Sequence, residues 1–372
     1  MQILLHLPKF MNWLNEHQKA NAHGLIDWPC DPNHLDMQPP NPANAIVPAT
    51  AIGCVSCLMK DLVSDYWGQV DLAADGTPNP FDAGQQPMMP IHRLAKRWYA
   101  PHVAATASAL NRQLAIDRRD ALQYADDFLK MVLGHMEETI PRTNTNRIDQ
   151  YNALFMLESQ NTSRCKCHAR NTQPATPTIG IENVWPTPRQ PGDTIDHAIW
   201  DACNYEVTMA CAHCGQDRTH TIERRIKAAP QYLRVQFDIH ERDDEGNEDQ
   251  DIDGNKMKNM GPQHQDPVPI DSIIDITQHQ MNTTTPLRYK LIGVVYHHGE
   301  YVNDGHYLAA VTCYGNKKYL IDDDDISEEA RRDNDQDPLT VNPMGWYRND
   351  QNYLYAVTLW YERLSNPRPL NL

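Results

Sequence analysis

Partway along the chain the hydrophobic period changes, and few architectures accommodate both halves. Over Asp117 to Glu138 the apolar residues Ala121, Ala125, Phe128, Leu129, Val132, Leu133 and Met136 recur along one helical face. Past Tyr151 the period becomes that of a strand. Leu233, Val235, Phe237 and Ile239 alternate with Arg234, Gln236 and Asp238, as expected of a half-buried strand. Further strands are expected in Ile273 to Ile276, Tyr289 to Tyr296, Tyr307 to Tyr314, Lys318 to Ile321 and Leu354 to Tyr361. Before residue 150 the signals are helical. Cys54, Leu58, Leu62 and Tyr66 step by four through Ala51 to Trp67, and Gln2 to His17 reads as a helix end and a turn into another helix at Pro8. Helices first and strands later indicate an α+β architecture.

With 372 residues, 40% of them hydrophobic, the chain can bury one large core. It has no run approaching the roughly 18 apolar residues of a membrane span, and the apolar start Ile3 to Leu7 stops at Pro8 without a basic flank, so neither a membrane role nor secretion is expected. The net charge of −16, with no clustered basic patch, argues against nucleic acid and for a basic protein or peptide partner. Nine cysteines, an odd number with close pairs, suit reduced thiols and a metal site in the cytosol or nucleus better than a disulfide framework. The acidic stretch Glu241 to Asn255 is expected to be a solvated loop.

Two groups of residues carry chemistry. In Tyr289 to Asp325, His306 and Asp322 stand on neighbouring predicted strands. A thiol hydrolase needs an imidazole to take the thiol proton and return it to the leaving amine, and a side-chain oxygen to fix the imidazole tautomer. The second group is Cys165, Cys167, Cys211 and Cys214. The later pair has the C-x-x-C spacing with which two thiolates reach one tetrahedral zinc. The first pair is one residue shorter, so zinc requires a distorted turn or a substitute ligand among Cys203, His168 and His213; buried or free thiols are the alternative.

Two other motifs fail on inspection. Cys54 and Cys57 fall on a mostly apolar helix face, where cysteine acts as a small hydrophobe. Asp249 to Gly254 opens like a calcium loop, but the closing position holds Met260 in place of a bidentate Glu.

The segment YKLIGVVYHHGEYVNDGHYLAAV, followed by YLIDDDDI, resembles the histidine box of ubiquitin-specific proteases. Gln123 to Leu129 resembles the family's Gln-Asp-Ala-x-Glu-Phe-Leu helix, with Tyr124 in place of Asp, and LYAVTLWYER resembles its closing strand. The resemblance implies a single papain-like domain over 1–372: a helical thumb at 1–150, fingers carrying the cysteine pairs at 151–226, and a palm at 227–372. It implies that His306 is the general base and Asp322 its orienting acid, with Asp323 the neighbouring alternative. It further implies contacts to ubiquitin from Gly305, Tyr307, Asp323 and Asp127, or from Asp120 in a register one turn earlier. A structural Zn2+ on Cys165, Cys167, Cys211 and Cys214 follows from the same likeness. Ile321 departs from the family, which usually has an aromatic residue there.

The family's nucleophile box, Gly-Asn-Thr-Cys, matches nothing around Cys54 or Cys57. Met1 to Phe10 looks like the sequence that follows that box, so the nucleophile is expected upstream of Met1 and residues 1–372 alone are expected to be inactive. Without the start of that helix, Leu4 and Leu7 are expected to be exposed. The expected function is a cysteine-type deubiquitinase acting on ubiquitin and ubiquitinated proteins. The alternatives are a catalytically dead ubiquitin-binding scaffold and a zinc-stabilised interaction module unrelated to ubiquitin.

Overall fold

The structure, a computed structural model, describes residues 2–17, 55–67, 125–185, 190, 192–238, 270–298, 306–312, 318–322, 325–328 and 354–364. The predicted loop at 241–255, the calcium-like segment, Cys54, Asp120, Gly305 and Asp323 lie outside these residues.

Among the described residues five helices come first: α1 (Gln2–Leu5), α2 (Pro8–Asn15), α3 (Val55–Trp67), α4 (Ala125–Glu138) and α5 (Thr145–Phe155). Pro8 starts α2 where its missing N–H costs nothing, because the first amides of a helix have no intrahelical acceptor. At the head of α5 the Asn144 side chain accepts from the Arg147 amide at 3.2 Å, which caps that helix. The strands β1 (Leu157–Cys165), β2 (Arg170–Thr172), β3 (Thr176–Thr178) and β4 (Ile181–Val184) follow. After α6 (Ile195–Cys203) come β5 (Asn204–Ala210), β6 (Asp217–Ala228), β7 (Tyr232–Phe237), β8 (Ile273–Asp275) and β9 (Arg288–His298). The described chain continues through β10 (His306–Thr312), β11 (Lys318–Asp322), β12 (Asp325–Glu328) and β13 (Leu354–Arg363).

Two sheets result. The smaller runs β2-β1-β6-β5, with β3 also on β1, all antiparallel. The larger runs β12-β11-β10-β9-β13-β7-β4, with β8 on β9; its β4–β7 pairing is parallel and its other pairings are antiparallel. Gly180, at φ +83°, lets the chain entering β4 approach the Arg234 carbonyl so closely that a Cβ would collide with it.

The large sheet is covered on both faces. On one, Leu4, Leu7, Phe10, Leu62, Val132 and Tyr151 pack with Val311, Tyr319, Ile321 and Trp360. On the other, Ile195 and Ile199 of α6 pack with Leu233, Val235, Leu291, Val294 and Leu359.

This layering overturns two expectations. Strand β7 is not half-buried: with helices on one side and α6 on the other, Arg234 is only 1% exposed. Leu4 and Leu7 are not exposed either, each at 1%, because α1 lies on β10 and inside the helical layer. Each such leucine contributes about 1.5–3 kcal/mol by leaving water. Ile3 sits directly over Gly293 of β9, where an added Cβ would meet its side chain at 3.1 Å.

Candidate functional site

The histidine segment forms the antiparallel ladder β9-β10-β11. His306 opens β10 opposite His298, and Tyr307 stands opposite His297. The rings of His297 and Tyr307 lie 4.6 Å apart at 42°, and His297 is fully buried. His306 itself is partly exposed at the strand's start, where solvent and a ligand can reach it.

Asp322 closes β11. Ile321 pairs with Ala309 and Leu320 with Ala310, so the next step of the same register sets position 322 against Leu308, one diagonal step from His306. Ile321 is buried beside Tyr319 and Val311. The structure therefore brings the backbones of His306 and Asp322 onto adjacent strands, with Tyr307 beside them.

Asp127 lies in the first turn of α4. That helix is tied to the large sheet through Lys130, whose Nζ is 2.8 Å from Glu182 of β4. Glu182 in turn lies 3.4 Å from the buried Arg234 guanidinium, which also donates to the Ile179 carbonyl and, at 2.6 Å, to Gln236. Burial raises the Glu182 carboxyl, but Lys130 and then Arg234 bring it below the usual carboxylate range overall.

Cys57 is buried in α3, as a small hydrophobe should be, with one addition: His17 Nε2 is 3.2 Å from its sulfur.

The second constellation lies at the tip of the small sheet. Cys165 ends β1 and Cys167 lies in the turn to β2, while Cys211 and Cys214 lie in the turn between β5 and β6. Pairing of β1 with β6 sets the two turns side by side, and the four sulfurs all lie within 4.8 Å of one another. Four sulfurs around a tetrahedral zinc, each at about 2.3 Å, would be roughly 3.8 Å apart. The Cys167–Cys211 sulfurs are 3.7 Å apart, so the donor set fits that ion.

No substitute ligand is needed, because the short C-x-C turn closes with a backbone device. His168 takes a positive φ of 71° directly after Cys167, as Gly215 does at 67° after Cys214. Cys203 is instead buried at the end of α6, in the core. The amides of Cys214 and His213 point at the Cys211 sulfur and hold its thiol down at about 6, which favours the thiolate a metal binds.

His297 lies within the segment that resembles the histidine box, and nothing in the sequence marks it out from its neighbours. Its place on the central strand of the large sheet is not something a sequence displays.

The family described as ubiquitin carboxyl-terminal hydrolase matches residues 1–355. No curated protein is matched by sequence. Among solved structures, the SAGA Ubp8/Sgf11/Sus1/Sgf73 DUB module bound to ubiquitin aldehyde is similar with a TM-score of 0.58 and 15% identity over 98% of this chain. The Ubp8 module bound to monoubiquitin gives 0.57 and 15%, again over 98%. A yeast SAGA DUB module with an Sgf73 mutant gives 0.55 and 14% over 98% of this chain and 65% of that one. The chain spans 66% of the length of the first two solved chains.

Proposed function

Because the chain belongs to the ubiquitin carboxyl-terminal hydrolase family and carries its α+β, papain-like fold, we propose that it forms the body of a cysteine-type deubiquitinase. The substrate is the bond between the ubiquitin C-terminal carbonyl and an amine of the conjugated protein. His306 is the general base and Asp322 orients it, with Asp323 as the neighbouring acid.

The thiol loses its proton to His306 and its sulfur attacks the carbonyl. Collapse of the tetrahedral species expels the amine, which takes the proton from His306, and leaves a thioester. Water, deprotonated by His306, then releases ubiquitin and the thiol is restored.

In this reading the thiol belongs to a Gly-Asn-Thr-Cys segment on the N-terminal side of Gln2, so residues 1–372 alone bind ubiquitin without cleaving it. Gly305 and Tyr307 border the scissile bond, and Asp127 pairs with basic side chains of the ubiquitin tail. Zinc on Cys165, Cys167, Cys211 and Cys214 ties the two turns of the small sheet together as a structural ion. Such a thiolate cluster persists in reducing surroundings, which makes the cytosol or nucleus the proposed setting.

The supporting observation is the β9-β10-β11 register, which sets His306 and position 322 on adjacent strands. The test is titration of ubiquitin into residues 1–372 and into a form extended through the coding sequence upstream of Met1, with a fluorogenic ubiquitin amide assay on both. Binding by both with cleavage by the extended form alone is expected. Binding by both without cleavage would make this a recognition protein, and absence of ubiquitin binding would refute the reading.

A further inference from the structure

His220 of β6 is 4% exposed, and neither of its ring nitrogens has a hydrogen-bond partner among the described residues. Two unpartnered buried nitrogens on one ring require an explanation, because a buried polar group without a partner costs about 1–3 kcal/mol. Its position supplies one. His220 stands directly opposite Cys165 in the β1–β6 ladder. The Lys166 amide donates to the Thr219 carbonyl at 3.3 Å in the neighbouring pair, so Cys165 and His220 form the narrower, non-hydrogen-bonded pair, in which side chains of one face lie closest.

The two cysteine turns also differ in what their amides offer. The Cys211 sulfur is faced by the amides of both His213 and Cys214. The Cys165 sulfur receives the Cys167 amide alone, at 3.4 Å. C-x-C has one residue fewer than C-x-x-C, and hence one amide fewer to aim at its first sulfur. A zinc held by four thiolates carries two net negative charges, and burying that charge calls for donors around each sulfur.

We propose that His220 is the outer-sphere donor of the cysteine cluster, its ring N–H supplying the Cys165 thiolate with the hydrogen bond that the shortened turn cannot give. It is a positioning residue and not a ligand. The inference rests on the zinc reading above and concerns the residue that stabilises the loaded cluster.

The experiment is chelator competition for Zn2+ on residues 1–372, with Co2+ loading followed by its thiolate charge-transfer and ligand-field bands. Three proteins are compared: the chain as it stands, His220→Leu and His220→Gln. Loss of an outer-sphere donor lowers metal affinity by roughly 10- to 100-fold. His220→Leu is expected to show that loss while keeping the four-sulfur Co2+ spectrum, and His220→Gln, which retains an N–H, is expected to recover most of the affinity. The metal-free His220→Leu protein is expected to melt no lower than the parent, since the leucine has no nitrogens to leave unpaired.

Equal affinity in parent and His220→Leu would overturn the inference while leaving the zinc reading intact. A spectrum that changes from four sulfurs to three sulfurs and one nitrogen in the parent would overturn it by making His220 a ligand. A parent chain that takes up neither metal would overturn both readings. If His220→Leu does not fold, the His220→Gln affinity decides: a loss beyond tenfold contradicts the donor role.

Discussion

Glu182 faces two cations, and the structure predicts which of them matters for folding. Lys130 is nearer, at 2.8 Å, but its side chain is 40% exposed. Arg234 is farther, at 3.4 Å, and its side chain is 1% exposed. Lys130 also stands ahead of Arg234 among the charges that lower the Glu182 carboxyl, as its direct bond requires. Folding should reverse that order. At a water-like dielectric the nearer pair is worth about 1.5 kcal/mol before screening and side-chain entropy, and exposed pairs net about 0–1 kcal/mol. At an effective dielectric of about 20 the buried pair has a gross attraction of about 5 kcal/mol, and a buried guanidinium cannot turn to water when its partner is removed. Glu182 is itself 34% exposed, which discounts the expectation to about 1–2 kcal/mol of coupling with Arg234, against less than about 0.5 kcal/mol with Lys130. Two double-mutant cycles in urea unfolding measure this, Glu182→Gln with Arg234→Gln and Glu182→Gln with Lys130→Met. Equal coupling in the two cycles, or a larger value for Lys130, would refute the argument that burial outweighs distance here.

Gly293→Ala places a methyl 3.1 Å from Ile3 Cδ1 and 3.2 Å from both its γ carbons, and overpacking there should cost about 1–3 kcal/mol and displace α1; the check is a double-mutant cycle in urea with Ile3→Ala, in whose background the Gly293→Ala penalty should vanish. His279 is buried against the Trp200 ring at 5.3 Å, and burial, with Arg225 nearby, lowers its pKa to about 4. The unfolded chain takes up that proton near 6.5 and the folded one near 4, so the neutral-ring stability is complete above the former and declines as pH falls toward the latter. That interval corresponds to about 3 kcal/mol at most, and His279→Gln should flatten the acid limb of Tm against pH between those values. An unchanged acid limb would show that His279 does not titrate as its burial requires.

The sequence displayed the elements that carry apolar runs or a helical apolar period, and hid those that carry neither. The large sheet was legible because β9, β10, β11 and β13 carry runs such as Val294-Val295-Tyr296 and Leu308-Ala309-Ala310-Val311. The small sheet was not, because β1 reads Leu-Glu-Ser-Gln-Asn-Thr-Ser-Arg-Cys and β5 is exposed almost throughout. Backbone pairing and the clustered cysteines hold those strands, and neither leaves a hydrophobic period.

Helix α6 escaped for another reason. It is nine residues long, and at its start the Thr194 amide donates to His197 Nδ1 at 3.1 Å, a capping box with histidine where Glu or Gln is the usual signal. Arg234 looked like the polar side of a two-faced strand because a sequence does not show that a second layer covers it. At the site, the neighbouring strands of His306 and Asp322 and the gathering of the four cysteines could be anticipated from residue types, spacing and the family likeness. The neighbours His297 and His220 could not, since their significance lies in which residue stands across the strand.

The proposed role of His306 is acid–base catalysis for a thiol that cuts at the ubiquitin C-terminus. The measurement that meets it most directly is steady-state cleavage of a fluorogenic ubiquitin amide by the N-terminally extended protein and its His306→Ala variant, with ubiquitin affinity measured alongside. The account predicts a fall in kcat of about 100- to 10,000-fold with affinity nearly unchanged. A His306→Ala protein that cleaves at the parent rate would contradict it.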